Sequence, residues 1–554
     1  MSLLSIRPPF GLRTFATLIL MPLWCAPVLA QQDHTGHSSD GHFGTVHFPV
    51  SCSSPAQQQF DRAVAMLHSF YYPQTIKAFT AIAAEEPNCA MAYWGIAISQ
   101  RSNPLVPPFP PDSLRAGWQA IESARNANAT TQRERDWIEA LSLFFEHHET
   151  VDQATRTARY EAAMARVHER YPDDVEAAVF YALALNEAVD LTDRSYARQL
   201  KAAAILERIA PTLPDHPGIP HYIIHSYDYA PIAAKGLPAA RRYAALAPGA
   251  PHALHMPSHI FVTLGMWQDA IASNLASDAA NLAYARTADP GVAANPAAIP
   301  VRYHALDFLA TAYLQLAQDK RAQAIVAGCN SVTQLSPDTR YSAHMGFAAI
   351  PVRYAIERGA WAEAANLQPM RTPFPQAEAV SWFGRALGAA RSGDSVAARK
   401  DLAEMSRLRA QVASKQDSYW TEQLDIHIKA ASAWLEFAEK RPTQAIELMR
   451  AAADNEDRTE KHVAMENRLS PMRELLGEML LEAGKPALAL TEFELSLQSV
   501  PNRFRSLAGA GRAAALAGDR PKARAHYQQL LILTKDADSQ REPLRAARRY
   551  LARS

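Results

Sequence analysis

Apolar residues recur along most of this chain at the three- and four-residue spacing of a single helix face, and small residues punctuate them at a fixed period. Near the C-terminus Leu476 and Gly477 lead through Gly484 and Ala487 to Pro501. A second unit follows with Ala513, Gly518, Asp519, Ala523 and Tyr527. Small residues at these offsets let two antiparallel helices approach closely, and the turn between them takes glycine because it needs a positive φ. Related units run through Gly265 to Ala270 and through Gly359 to Ala364.

A helix pair repeating every 34 residues or so is the tetratricopeptide pattern. The expectation is an all-α chain, an α-solenoid of tetratricopeptide-type helix-turn-helix repeats, with each pair packing mainly on its neighbours. At 554 residues the chain exceeds one ordinary core. Its 48% hydrophobic and 20% charged residues are a folding composition, and only 22 glycines favour helix. Asn103 to Asp112 is proline-dense, and Thr287 to Pro300 is an Ala/Pro/Gly segment; both read as long connections.

Basic and acidic residues balance at 56 each, with no basic block, so nothing electrostatic points to nucleic acid. The first thirty residues read as a secretory signal peptide. Arg7 and Arg13 precede an apolar stretch from Phe15 to Leu23, and Val28, Leu29 and Ala30 form a small-residue cleavage site. That stretch is short for a span of about 20 residues, so the mature protein is expected in the bacterial periplasm or outside the cell, without a membrane span. Of the remaining cysteines, Cys52 and Cys89 are the expected disulfide in such an oxidising compartment, and Cys329 is expected buried and inert. Residues 31–55 read as a polar tail with His34, His37, His42 and His47, a solvated leader or a loose metal scavenger. A central repeat region, 56–360, and C-terminal repeats, 361–554, follow.

Histidine is concentrated in the middle. His216, His221, His225, His252, His255 and His259 fall within 44 residues, where even spacing of the 19 histidines would leave one or two. His221 and His225 share a helix face at i, i+4, as do His255 and His259. The offset from His221 to His255, and from His225 to His259, is one repeat length. The two pairs should therefore occupy equivalent places on neighbouring first helices. Asp228 extends the first face and His252 the second.

With Gly265 at position fifteen of its repeat, His252, His255 and His259 fall at positions two, five and nine, which line the concave groove of such repeats. The same register puts His304 and Asp307 at two and five of a later unit, Arg353 at nine, and His68 at thirteen. Pro257 and Pro351 each fall at position seven and should kink their helices, unless the helix simply starts at Pro257.

Imidazole is the commonest neutral metal ligand, and two i, i+4 pairs on adjacent helices supply the three or four donors an ion needs. The candidate is one transition-metal ion (Zn, Cu or Fe) held by His221, His225, His255 and His259. Asp228, His252, His304 or Asp307 would orient those ligands. His68 and Arg353 complete the polar groove. A metal-free groove for a protein, peptide or small-molecule ligand, and histidines that are only structural, remain open alternatives. For His68 and His304 taken singly, structure is the simpler reading. His147 and His148 read as surface, and Ser258 as a packing serine. No Gly-x-Ser-x-Gly elbow, His-Glu-x-x-His or Walker loop is present. Any catalysis would run through a bound metal, and no reaction is named by the sequence.

Leu67–Phe70, Cys89–Gly95, His221–Asp228, His252–Phe261 and Tyr303–Asp307 resemble matching stretches of a family of exported bacterial tetratricopeptide-repeat proteins. The resemblance covers about residues 45 to 320, with His252–Phe261 its most specific part. It implies the fold and export, and no activity. Generic repeats of this kind are mostly scaffolds, which implies a binding role.

Overall fold

Helix-terminal chemistry recurs at the starts and turns of the repeats. Ser53, Thr131, Asp152, Asp174, Asp394, Asp417 and Asp519 each accept a hydrogen bond from a first-turn backbone N–H, satisfying a donor that has no intrahelical partner. Gly265, Gly359, Gly484 and Gly518 sit at φ of 66° to 84° in the turns between paired helices, the left-handed conformation that the repeat pattern requires.

The computed structural model describes residues 41–288, 295–332, 334–336, 339–463, 465 and 468–553. The expected signal peptide, His34, His37 and residues 289–294 of the Thr287–Pro300 connection lie outside them. The regular elements of the described residues are all helices, from Ser54–His68 to Glu542–Arg553, arranged as successive antiparallel pairs of the tetratricopeptide type and a last single helix. None of these helices is long and apolar enough to cross a membrane.

Two apolar cores meet on the Tyr341–Glu357 helix. Phe347, Ile350 and Tyr354 join the core that runs back to Phe43, while Tyr341, Met345, Val352 and Ile356 join the C-terminal one. Pro351 lies inside this helix. At Pro257 the chain also stays helical. Met256 has φ −52° and ψ −38°, and its N–H donates to the His252 carbonyl at 2.9 Å. Helical backbone therefore continues from the Pro251–His255 helix into the Pro257–Thr263 helix, and His252, His255 and His259 follow one another along it.

One expectation is corrected. Residues 41–50 are not a solvated tail. Phe43, Val46 and Phe48 are buried, and Phe48 lies 4.7 Å from Trp137 and 5.4 Å from Trp94, ring to ring; alternation of apolar and polar residues lets an extended segment dock one edge. Packing is mainly between neighbouring pairs, as expected, and also reaches beyond them. The C-terminal repeats return onto the middle ones: the Trp267 indole donates to the Asn502 carbonyl at 2.8 Å, Arg503 meets Glu357 at 2.5 Å, and Lys461 meets Asp228 at 2.7 Å. Superhelical curvature brings these distant units together.

Cys52 and Cys89 form the disulfide, and Cys329 is free and buried. The bond pins the docked N-terminal segment across 37 residues of sequence. The Cys52→Ser, Cys89→Ser double variant is expected to lose about 3–4 kcal/mol of unfolding free energy. Urea melts of wild type and variant would read this, and superimposable melts would refute it.

A candidate metal centre of six histidines

The Gly218–Tyr227 helix and the successive Pro251–His255 and Pro257–Thr263 helices form the first halves of consecutive pairs, and the Tyr303–Gln315 helix begins the next. The i, i+4 spacing turns His221 and His225 to one side of the first, and His255 and His259 to the corresponding side of the second. Nε2 of His225 lies 3.1 Å from that of His221, and Nε2 of His255 lies 3.1 Å from that of His259.

The four do not share one point. Each pair is completed by the position-two histidine of the next first helix, so the rings form two sets of three. His252 joins His221 and His225, with its Nε2 3.2 Å from that of His221. His304 joins His255 and His259, its ring centroid 4.6 Å from that of His255. His252 and His304, expected outside the ligand set, thus stand within it. One repeat of translation carries the pairs apart and brings the next unit's position two alongside each.

Fixed acceptors hold three of the rings. The His68 carbonyl, at the end of the Ser54–His68 helix where carbonyls lack intrahelical donors, accepts from His221 Nδ1 at 2.5 Å. Asn274 Oδ1 accepts from His255 Nδ1 at 2.7 Å. The Asn274 amide N–H donates to the Ala270 carbonyl, which sets which way that side chain faces. Asp228 Oδ2 accepts from His259 Nδ1 at 2.9 Å and also meets Lys461 Nζ at 2.7 Å. A neutral imidazole with its proton on Nδ1 presents a lone pair at Nε2. The Nε2 lone pairs of His255 and His259 therefore face each other at 3.1 Å with no proton between them.

Apolar walls enclose both sets. Phe70 stacks on His252 with centroids 5.3 Å apart and meets His221 edge-on at 4.5 Å. Phe308 lies 4.7 Å from His255 and 4.8 Å from His259. Phe70 holds this place at φ 52°, a costly conformation for an aromatic residue. Burial pushes His221 and His255 down to about 3, and His225, His252 and His304 well below the ordinary imidazole value. His259 is also lowered by burial, against the pull of Asp228. Burial alone would raise the Asp228 carboxyl, but Lys461 and His259 hold it below its usual value. All six rings are thus neutral at neutral pH, the form that binds metals.

The remaining expected groove residues go elsewhere. His68 is fully buried, 2.9 Å from the Tyr222 hydroxyl and 2.8 Å from Glu176, which also bonds His216 at 2.8 Å. Only its backbone serves the centre. Asp307 and Arg353 bond each other at 2.8 Å, so positions five and nine of the next two units form an ion pair in place of further ligands. Ser258 donates to the His255 carbonyl at 2.7 Å, a packing role as expected. Asn274, Lys461 and Glu176 escaped the sequence reading. Asn274 sits on the second helix of its pair, and Lys461 arrives from 233 residues beyond Asp228. No local spacing marks either.

No family model matches this chain, and no curated protein matches it in sequence. Among solved structures it is similar to the human IFIT1 dimer with m7Gppp-AAAA, at 12% identity and TM-score 0.36 over 88% of this chain and 91% of that one. It is also similar to the APC/C hetero-tetramer Cut9-Hcn1, at 10% identity and TM-score 0.27 over 90% and 97% of the two chains. The Naa15/Naa10 complex bound to HypK-THB matches at 10% identity and TM-score 0.20 over 90% and 74%. These likenesses are to other helical chains and say nothing of what this one binds.

Proposed function

We propose that this chain is an exported bacterial metalloprotein. Its helical solenoid holds transition metal (zinc, copper or iron) in a histidine centre between successive first helices and presents it to a small ligand. One observation carries the reading: the bare Nε2 lone pairs of His255 and His259 facing at 3.1 Å. Two such lone pairs repel unless a cation lies between them, and burial disfavours a proton in that role. An ion about 2.0–2.1 Å from each nitrogen would see them about 100° apart, an ordinary ligand angle. The signal-like N-terminus and the Cys52–Cys89 disulfide support export. Lys461, held nearly buried against Asp228 beside His259, favours a small ligand over a long peptide.

Elemental analysis of untagged mature protein, with thermal melts before and after metal addition to stripped protein, tests this. The expected result is at least one equivalent of metal per chain and a raised melting temperature, because native-state binding must stabilise. Protein that neither retains nor gains metal would leave only a helical scaffold.

Asp228→Asn replaces the carboxylate on His259 with a weaker, neutral acceptor. Metal affinity at that set is expected to fall about 10–100-fold, read by competition with a chelator of known strength. Unchanged affinity would mean Asp228 serves Lys461 alone.

A further inference from the structure

The six imidazoles fall into two groups of three and do not all converge on one point, so they come as one coordination unit made twice. In each set an i, i+4 pair on one first helix is joined by the position-two histidine of the next: His221, His225 and His252, then His255, His259 and His304. Nε2 separations are 3.1 Å for His221–His225, 3.2 Å for His221–His252 and 3.1 Å for His255–His259. Across the sets, the His225 and His259 rings stand 6.1 Å apart, as do those of His252 and His255, centroid to centroid. An ion at bonding distance from one set leaves the other set's nitrogens free for a second. The two ions would be near enough to share one small bridging molecule, as paired metal sites do.

Charge selects the metal. Each set offers three neutral donors and no anion. The one carboxylate on them, Asp228, is matched by Lys461 at 2.7 Å. Two divalent ions would bring four positive charges into a buried site where, among the described residues, the Asp228–Lys461 pair adds no net negative charge to offset them. Two cuprous ions bring half of that. Copper also stands highest among the divalent metals for nitrogen donors once oxidised, and three imidazoles suit a three-coordinate cuprous ion. Building on the metal reading above, we infer that the two sets hold a pair of copper ions that together bind dioxygen as a bridge.

The step balances without a further reactant. Each cuprous ion gives one electron, and dioxygen takes both to become peroxide. The O–O double bond becomes single as copper–oxygen bonds form on both sides. The charge of the assembly is unchanged and no proton moves, so a buried site without a general acid can perform it. Access lies on the side of His252 and His304, the two residues of intermediate exposure; the other four residues are buried.

The test is anaerobic loading of the stripped, full mature chain with cuprous ion, followed by dioxygen. The expected result is two copper equivalents per chain and, with dioxygen, a strong near-ultraviolet band. The protein should stay silent in electron paramagnetic resonance because the two cupric ions are coupled. His252→Ala and His304→Ala should each retain one equivalent and lose the band, with helical content by circular dichroism confirming that they fold. One equivalent in the wild type, or two cupric ions that each give a full uncoupled signal, would overturn the pair and leave the metal reading standing. No metal at all would remove both.

Discussion

His259→Ala is expected to empty one set and spare the other. The variant removes a buried imidazole ligand together with the N–H that donates to Asp228, leaving that carboxylate to Lys461 and the Thr263 hydroxyl. The His255–His304 remnant offers two imidazoles, too few for a tight site. At a hundredfold excess of free metal over its dissociation constant, a single site adds about 2.7 kcal/mol to folding stability. His259→Ala should forfeit one such increment, seen as a smaller metal-induced rise in melting temperature and a lower metal content. His221→Ala should do the same for the first set. His42→Ala, at an exposed position, should change neither. A variant at His259 with wild-type metal content would mean that its nitrogen is not a ligand.

Acid should destabilise the metal-free protein steeply below about pH 6.5. The sign follows from where protons bind. Unfolded histidines titrate near 6.5, whereas burial holds His221 and His255 to about 3 and keeps the other four low. Between those values the unfolded chain takes up protons that the folded chain refuses. Stability is therefore complete above pH 6.5 and falls as pH drops toward the folded values. Each such group costs about 1.4 kcal/mol per pH unit. His221 and His255 alone would remove about 5 kcal/mol by pH 4.5, comparable with the whole stability of many domains, about 5–15 kcal/mol. Thermal melts from pH 8 to pH 4.5 would show it. A flat melting temperature across that range would mean that the rings are hydrated and not enclosed.

The spacing of the histidines carried more than their number. The 34-residue offset identified the paired helices, and the repeat register gave His252 and His304 the same position two. That equivalence is what makes the two sets alike. Register could not say that position two of one unit lies against positions five and nine of the unit before, because that depends on how far one first helix is displaced along the next. The same limit explains His68. Its helix was legible, but the pull of Glu176, 108 residues away, into a cluster with His216 and Tyr222 was not.

Local rules sufficed wherever the deciding interaction lies within one helix pair. Capping side chains, turn glycines, apolar stripes and i, i+4 faces are properties of a few consecutive residues, and so the all-helical repeat was determined by the chain alone. Cys52 and Cys89 could be matched because so few cysteines were available to pair. Packing of remote units decided the rest: the docking of residues 41–50, the return of the C-terminal repeats, Asn274 and Asp228 as acceptors, and Lys461 from 233 residues away. A small angular change per repeat accumulates over many units. No short stretch of sequence encodes which distant side chains that accumulated curvature will bring face to face.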